Sequence, residues 1–358
     1  MDDTTYKEML EISDSIGLKV IDEKRNYWLV RSKSGEYFDD FYFEDFIAIG
    51  WNKISDIEAI KSSTYNIKKE VEGYYPKEKR PGYVANQIIR FVNEMKSGDI
   101  VLVPNKDSKF VAFGELVEDN VYIEEIEDAE NLEDEYELDD DKLFEDYLTE
   151  DAEREQCTYV KRRKVKWLKT IKRNKLDPYL FRLLYSHNTI SDANEYSSYI
   201  DRSLYSFFVK NKEFHVIYEV TQEEDIPAID LVKGIDNIMS SVDVFNKVTG
   251  SNYDKHEVDI KINVQSPGPM EFITYCAGAG LVLGFISMFL FGGNFEFKFT
   301  KDEKKMKIDN PGLLGFMLKF KEQNHQENMD IKKLQEELKE TKKDLMITAP
   351  NEENNDNK

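Results

Sequence analysis

Residues Phe272 to Gly293 read FITYCAGAGLVLGFISMFLFGG, and what this stretch is decides the fold. It holds no Asp, Glu, Lys or Arg, inside a chain that is 34% charged. A bilayer core needs about 20 consecutive apolar residues in a helix, so the stretch is long enough to span. Gly280 and Gly284 form a GxxxG flanked by Ala277, Gly278 and Ser287, the small-residue spacing that lets helices approach closely in lipid. The reading is therefore a transmembrane helix that takes in Phe272, Gly280, Gly284 and Phe291. A buried core helix, an oligomer-interface helix and a re-entrant hairpin are the other readings. Against the core helix stands the lack of any polar stripe.

Outward from this stretch, both flanks have patterns of their own. Before it, Glu213–Thr221 reads as a strand, Asp230–Val244 as an amphipathic helix, and Val258, Ile260, Ile262 and Val264 alternate in a further strand. Ser266-Pro267-Gly268-Pro269 closes that strand. After it, Phe295, Phe297 and Phe299 alternate, and Asn310-Pro311-Gly312 opens an amphipathic turn. Ile331, Leu334, Leu338 and Leu345 then fall on a/d-like spacing, enough for a weak coiled coil. The last nine residues read as a disordered tail. Expected domains are thus 1–205, a small αβ segment 206–269, a membrane-associated segment 270–320, and a charged helix with tail 321–358.

The formal net charge of −22 is unevenly spread. Residues 118–155 hold 20 acids against Lys142 and Arg154, a local −18; the remaining 47 bases and 51 acids leave −4. The acidity is one insert, which reads as a solvated loop, and the rest of the chain is free to carry a nucleic-acid face. Residues 1–20 begin MDDTTYKEML without an apolar h-region, so no signal peptide is expected. Cys157 and Cys276 lie far apart, which argues for a reducing compartment. The histidines have no metal-ligand spacing, and no nucleophilic triad or phosphate loop is present. No catalytic residue, metal or cofactor is assigned.

Within 1–205, Tyr27–Arg31 and Tyr37–Phe43 read as hairpin arms around Lys33-Ser34-Gly35-Glu36, and Phe46–Asn52 as a buried strand. Val84, Ile88, Phe91, Val92 and Met95 mark a helix ended by Ser97-Gly98. Strands follow over Gly98–Pro104 and Phe110–Val117. Lys161 to Lys175 carries nine Lys or Arg and no acid. As a strand, Tyr159–Leu168 puts Tyr159, Lys161, Arg163, Val165 and Trp167 on one face, and Arg162, Lys164 and Lys166 on the other.

The spaced set Tyr27-Trp28-Leu29-Val30-Arg31, Phe46-Ile47-Ala48-Ile49-Gly50-Trp51, Ser97-Gly98-Asp99-Ile100-Val101, Phe113-Gly114-Glu115-Leu116 and Arg162–Trp167 resembles an EVE/PUA-like domain of modification-dependent restriction and phage-defence proteins. The resemblance covers about residues 20–190. It implies an α+β fold with a small, partly open β-barrel, in which a pocket beside the strand ends holds an extruded base. Carried onto this chain, the pocket would take Trp51, Asn52, Tyr83 and Trp167, with Arg162, Arg163, Lys164 and Lys166 on the nucleic-acid backbone. Stacking planes beside a cationic path are what a flipped base needs.

Three functions compete at this point. The first is an intracellular sensor of antiviral defence that binds modified nucleic acid or a nucleotide and acts at the inner or plasma membrane, its N-terminal domain cytoplasmic. It would self-associate through Gly280/Gly284 and the 331–345 helix. The second is a Mg²⁺-dependent nuclease, for which Asp259-Ile260-Lys261 fits the (Asp/Glu)-x-Lys triplet on one strand face. The third is a non-enzymatic membrane protein whose barrel binds a protein partner.

Overall fold

The computed structural model describes residues 18–126, 156–262, 268–291, 320 and 329–349. The helix that Tyr6, Met9, Leu10 and Ile12 predict over residues 4–15, residues 127–155 of the acidic insert, the Phe295–Phe299 strand, the turn after Asn310 and the C-terminal tail lie outside these residues. The chain divides into two compact units, 25–200 and 1–24 with 201–358.

After β1 (Lys19–Val20), which belongs to the second unit, the first unit opens with β2 (Tyr27–Val30). The expected hairpin does not form. Lys33, Ser34 and Gly35 all take positive φ and end the strand. A Cβ on Gly35 would lie 2.2 Å from the Lys106 nitrogen, so only glycine fits there. The chain then enters α1 (Phe38–Phe43) instead of a return strand. Strands β3 (Phe46–Ile49), β4 (Ile100–Pro104), β5 (Phe110–Leu116), β6 (Tyr122–Ile123), β7 (Lys161–Lys172) and β8 (Ile190–Asp192) complete the sheet. Its order is β3-β7-β5-β4-β2-β8 with β6 also on β7, and it curls into a half-barrel. Helices α2 (Ile57–Lys61), α3 (Ile67–Tyr74) and α4 (Pro81–Ile89) cross between β3 and β4, and α5 (Leu180–Leu184) between β7 and β8. Asp56 and Asn66 cap α2 and α3 by accepting from Ala59 N and Lys69 N, caps worth about 0.5–2 kcal/mol each. Val84, Ile88, Phe91 and Val92 put the apolar stripe of α4 and its following turn into the core.

The second unit corrects the reading of the apolar stretch. The chain runs through α6 (Ser197–Leu204), β9 (Phe207–Lys210), β10 (Glu213–Val220), α7 (Ala228–Thr249), β11 (Val258–Ile262) and β12 (Gly268–Thr274). Phe272 therefore lies in a strand, paired with Val216. Among the described residues of the stretch, Ala277–Phe291 is helical (α8), about 22 Å at 1.5 Å per residue and short of a roughly 30 Å hydrocarbon core. Among the described residues no helix is long and apolar enough to cross a membrane. The missing polar stripe has another cause: the helix is buried between the sheet, α7 and Phe320. A Cβ on Gly280 would fall 2.5 Å from the Phe214 ring and one on Gly284 2.4 Å from the Phe207 ring. The GxxxG thus seats α8 on its own sheet. Phe291 closes the helix 5.9 Å from the Tyr218 ring, and the Tyr218 hydroxyl donates to Leu283 O.

The a/d-like stripe is likewise used within the chain. Helix α9 (Met329–Leu345) buries Ile331, Leu334, Leu338 and Leu345 in the same core, and Asn237 on α7 donates to Thr341 Oγ1 at 2.9 Å. The short β13 (Ile347–Thr348) then pairs with β10. On the other face of the sheet, Glu271 is held by His215 Nδ1 at 2.7 Å and Arg202 at 3.8 Å. Overpacking a tight core contact costs about 1–3 kcal/mol. Gly284→Val is therefore expected to loosen this unit by that amount, read as faster amide hydrogen exchange over residues 207–220. Unchanged exchange there would refute the helix-on-sheet role of Gly284.

Candidate nucleic-acid interface

The positions expected to form one pocket are not brought together. Trp51 is 2% exposed, with φ 57, and its carbonyl accepts from Lys161 Nζ at 2.7 Å. Asn52 is buried too: its Nδ2 donates to Thr158 O, and Val160 N donates to its Oδ1. Both residues hold the segment that enters β7. Trp167 is half-buried six residues beyond Lys161, roughly 20 Å along the strand. Its Nε1 donates to Phe41 O, and its ring packs 5.6 Å from Tyr42. Tyr83 belongs to the β8 edge, where its hydroxyl accepts from Thr189 N and the Arg80 guanidinium lies 4.8 Å over its ring. One helix face away, a shallow groove of about 610 Å³ is lined by Tyr65, Asn66, Lys68, Gly82 and Asn86.

Two of the four expected phosphate-binding cations are committed elsewhere. Arg163 is fully buried and donates to Phe91 O (2.7 Å), Met95 O (2.9 Å), Asp119 O (3.0 Å) and Glu118 O (3.3 Å). Burial pulls its pKa down to about 10, so it keeps its charge at neutral pH. Phe91 and Met95 end the helical turn after α4, where carbonyls lack partners and a cation is favoured. Arg162 is buried with its guanidinium 4.1 Å over the Phe46 ring, donating to Tyr159 O and Cys157 O. Lys164 and Lys166 are exposed, and Lys164 lies 3.7 Å from Glu118.

The exposed cations gather instead at one end of the sheet. Strands β2 and β4 are parallel, and β7 runs the same way because each is antiparallel in turn to its neighbour through β5. Their carboxyl ends therefore emerge together. Three contacts join the loops there: Gly35 against Lys106, Arg173 N donating to Lys109 O at 2.9 Å, and the Arg31 guanidinium donating to Ser186 O. This rim exposes Lys33, Lys106, Lys109, Lys172 and Lys175 around a half-buried Arg173. Glu36 and Asp107 bond Lys33 and Lys109. No acid bonds Lys172, Arg173 or Lys175 among the described residues.

Aromatic rings are interleaved with these charges. Arg173 lies 5.5 Å from the Phe181 ring centroid and 5.8 Å from that of Tyr185, and donates to the Tyr185 hydroxyl at 3.3 Å. Tyr185 remains 65% exposed, and Phe110, paired with Lys172, 37%. A bulge between Phe113 and Gly114 shifts the register of β5 on β7. It turns Lys172 and Phe110 toward the side of Trp167 and away from that of Lys166. The run Lys161–Lys175 pointed to this region in the sequence; Phe110, Lys106 and Tyr185 join it only through topology.

The nuclease triplet lies in the other unit. Asp259 and Lys261 are exposed on β11, and Asp259 borders a groove of about 500 Å³ with His256, Glu257 and Tyr275. Among the described residues no group of three His, Cys, Asp or Glu could hold a metal ion.

No curated protein and no solved structure matches the chain. Residues 27–193, from the start of β2 to just past β8, match the family model described as "Domain of unknown function (DUF8426)", a span that takes in the whole basic rim.

Proposed function

We propose that the 25–200 unit is a nucleic-acid-binding module that meets phosphates at the rim where β2, β4 and β7 end. The observation that carries this reading is the convergence of Lys172, Arg173 and Lys175 with Lys106 and Lys109 at exposed turns, with Tyr185 and Phe110 between them. Clustered cations release counterions from a phosphate backbone, and aromatic faces accept bases. The resemblance to EVE/PUA-like readers supports the same ligand class. The surface used differs from the one the resemblance implies, because Trp51, Arg162 and Arg163 are buried.

Binding of the full chain to labelled oligonucleotides at 50 and 200 mM salt tests the proposal. Each lost phosphate contact lowers the salt slope by about 1, so Lys172→Ala with Lys175→Ala should lower it by about 2. Affinity should fall roughly tenfold for every sequence, since phosphate contacts position without specifying. Wild-type protein that binds no oligonucleotide at 50 mM salt would overturn the reading.

A further inference from the structure

We infer that the ligand of this rim is single-stranded nucleic acid whose bases stack on Tyr185 and Phe110. This rests on the reading of the rim as a nucleic-acid surface and names its substrate class. Duplex DNA hides its base faces and offers edges, read by a helix or two-stranded ribbon laid into the major groove. The rim has neither: it is built from the turns after β2, β4 and β7, and the neighbouring α5 has only five residues. What it does present is two rings, Tyr185 65% and Phe110 37% exposed, among cations.

Tyr185 is a prepared surface. Its hydroxyl is fixed by Arg173 at 3.3 Å, and that guanidinium is itself packed near Phe181 at 5.5 Å. The ring is thus oriented while it stays 65% exposed. Phe110 sits at the start of β5, opposite Lys172 on β7. Each ring has a cation as its neighbour, so a base stacked on it brings its phosphate within reach of Arg173 or Lys172. Every base has a π-face, which makes such a surface tolerant of sequence.

The test uses the full chain with three probes: oligo(dT) and oligo(U) of about 20 nucleotides, and a mixed-sequence duplex of the same length. At least one single strand should bind about tenfold or more tighter than the duplex, and the two report which sugar is preferred. Tyr185→Ala should weaken single-strand binding about 5- to 100-fold, the range for loss of one stacked base. Tyr185→Phe should stay within about threefold of wild type, and Phe110→Ala should act like Tyr185→Ala. Unchanged tryptophan-monitored melting confirms that the variants are folded. Suppose instead that the duplex binds as tightly, or that both alanine variants bind single strands normally while Lys172→Ala with Lys175→Ala weakens binding. The inference then falls and the nucleic-acid reading stands. No binding to any probe overturns both.

Discussion

Replacing Arg163 with alanine is expected to destabilise the 25–200 unit by about 3–5 kcal/mol, the sum of a core cavity and stranded acceptors. The guanidinium joins Phe91 O and Met95 O, at the end of the turn after α4, to Glu118 O and Asp119 O, where the acidic insert begins. Truncation leaves the buried Phe91 and Met95 carbonyls, and the part-buried bonds to Glu118 and Asp119, without this donor. The Nε of Arg163 has no partner, a cost that the carbonyl bonds outweigh. Arg163→Met keeps most of the volume and removes the donors, so it should recover only part of the loss. All the tryptophans, Trp28, Trp51 and Trp167, lie in this unit, so urea unfolding followed by tryptophan fluorescence reports on it alone. A loss below about 1 kcal/mol for Arg163→Ala would show that the bonds are not structural.

The same arginine shows where the sequence runs out. A strand with Arg162 and Arg163 inside a run of lysines reads as a solvated face, because charge is normally outside. What reverses it is a helix end with unsatisfied carbonyls, delivered by residues 68–72 positions away. No local pattern announces that. The strands β4, β5 and β10 were legible because apolar runs or alternation extend over several residues between turn signals. Phe38–Phe43 reads as a strand because it is rich in aromatics and follows a turn signal, while the spacing of Phe38, Phe41 and Tyr42 at i, i+3 and i+4 is helical, and six residues cannot separate the two. The stretch Phe272–Gly293 failed for a different reason. A helix buried over most of its surface in its own protein, with Leu281, Met288 and Phe289 half-buried on the remainder, has the same composition as one covered by lipid. Ser266-Pro267-Gly268-Pro269 reads as the end of the preceding strand, while β12 already begins at Gly268. The basic rim was half legible: the cations of β7 stood out, and the loops that complete the site needed the strand directions.

Trp51→Ala is expected to cost about 3–5 kcal/mol of stability, as for other buried tryptophans, and to leave any nucleic-acid selectivity of the folded protein unchanged. This reverses the role that the resemblance implies for the residue. A stacking plane for an extruded base has to offer a free face, and Trp51 is 2% exposed within the core of its unit. Its backbone is held left-handed at φ 57, a conformation that a bulky residue adopts only where its surroundings fix it. Those surroundings are visible: Lys161 Nζ donates to its carbonyl at 2.7 Å, and Asn52 clamps Thr158 and Val160 beside it. Losing the indole removes the packing that keeps this strained turn in place, at the point where the chain enters β7. A domain of this size shifts its melting point by about 2–4 °C per kcal/mol, so the transition should fall by roughly 6–20 °C. The remaining Trp28 and Trp167 report it by fluorescence. Below that transition, the ratio of affinities for modified and unmodified oligonucleotides should match wild type. A variant that melts normally but loses that ratio would return Trp51 to the ligand site.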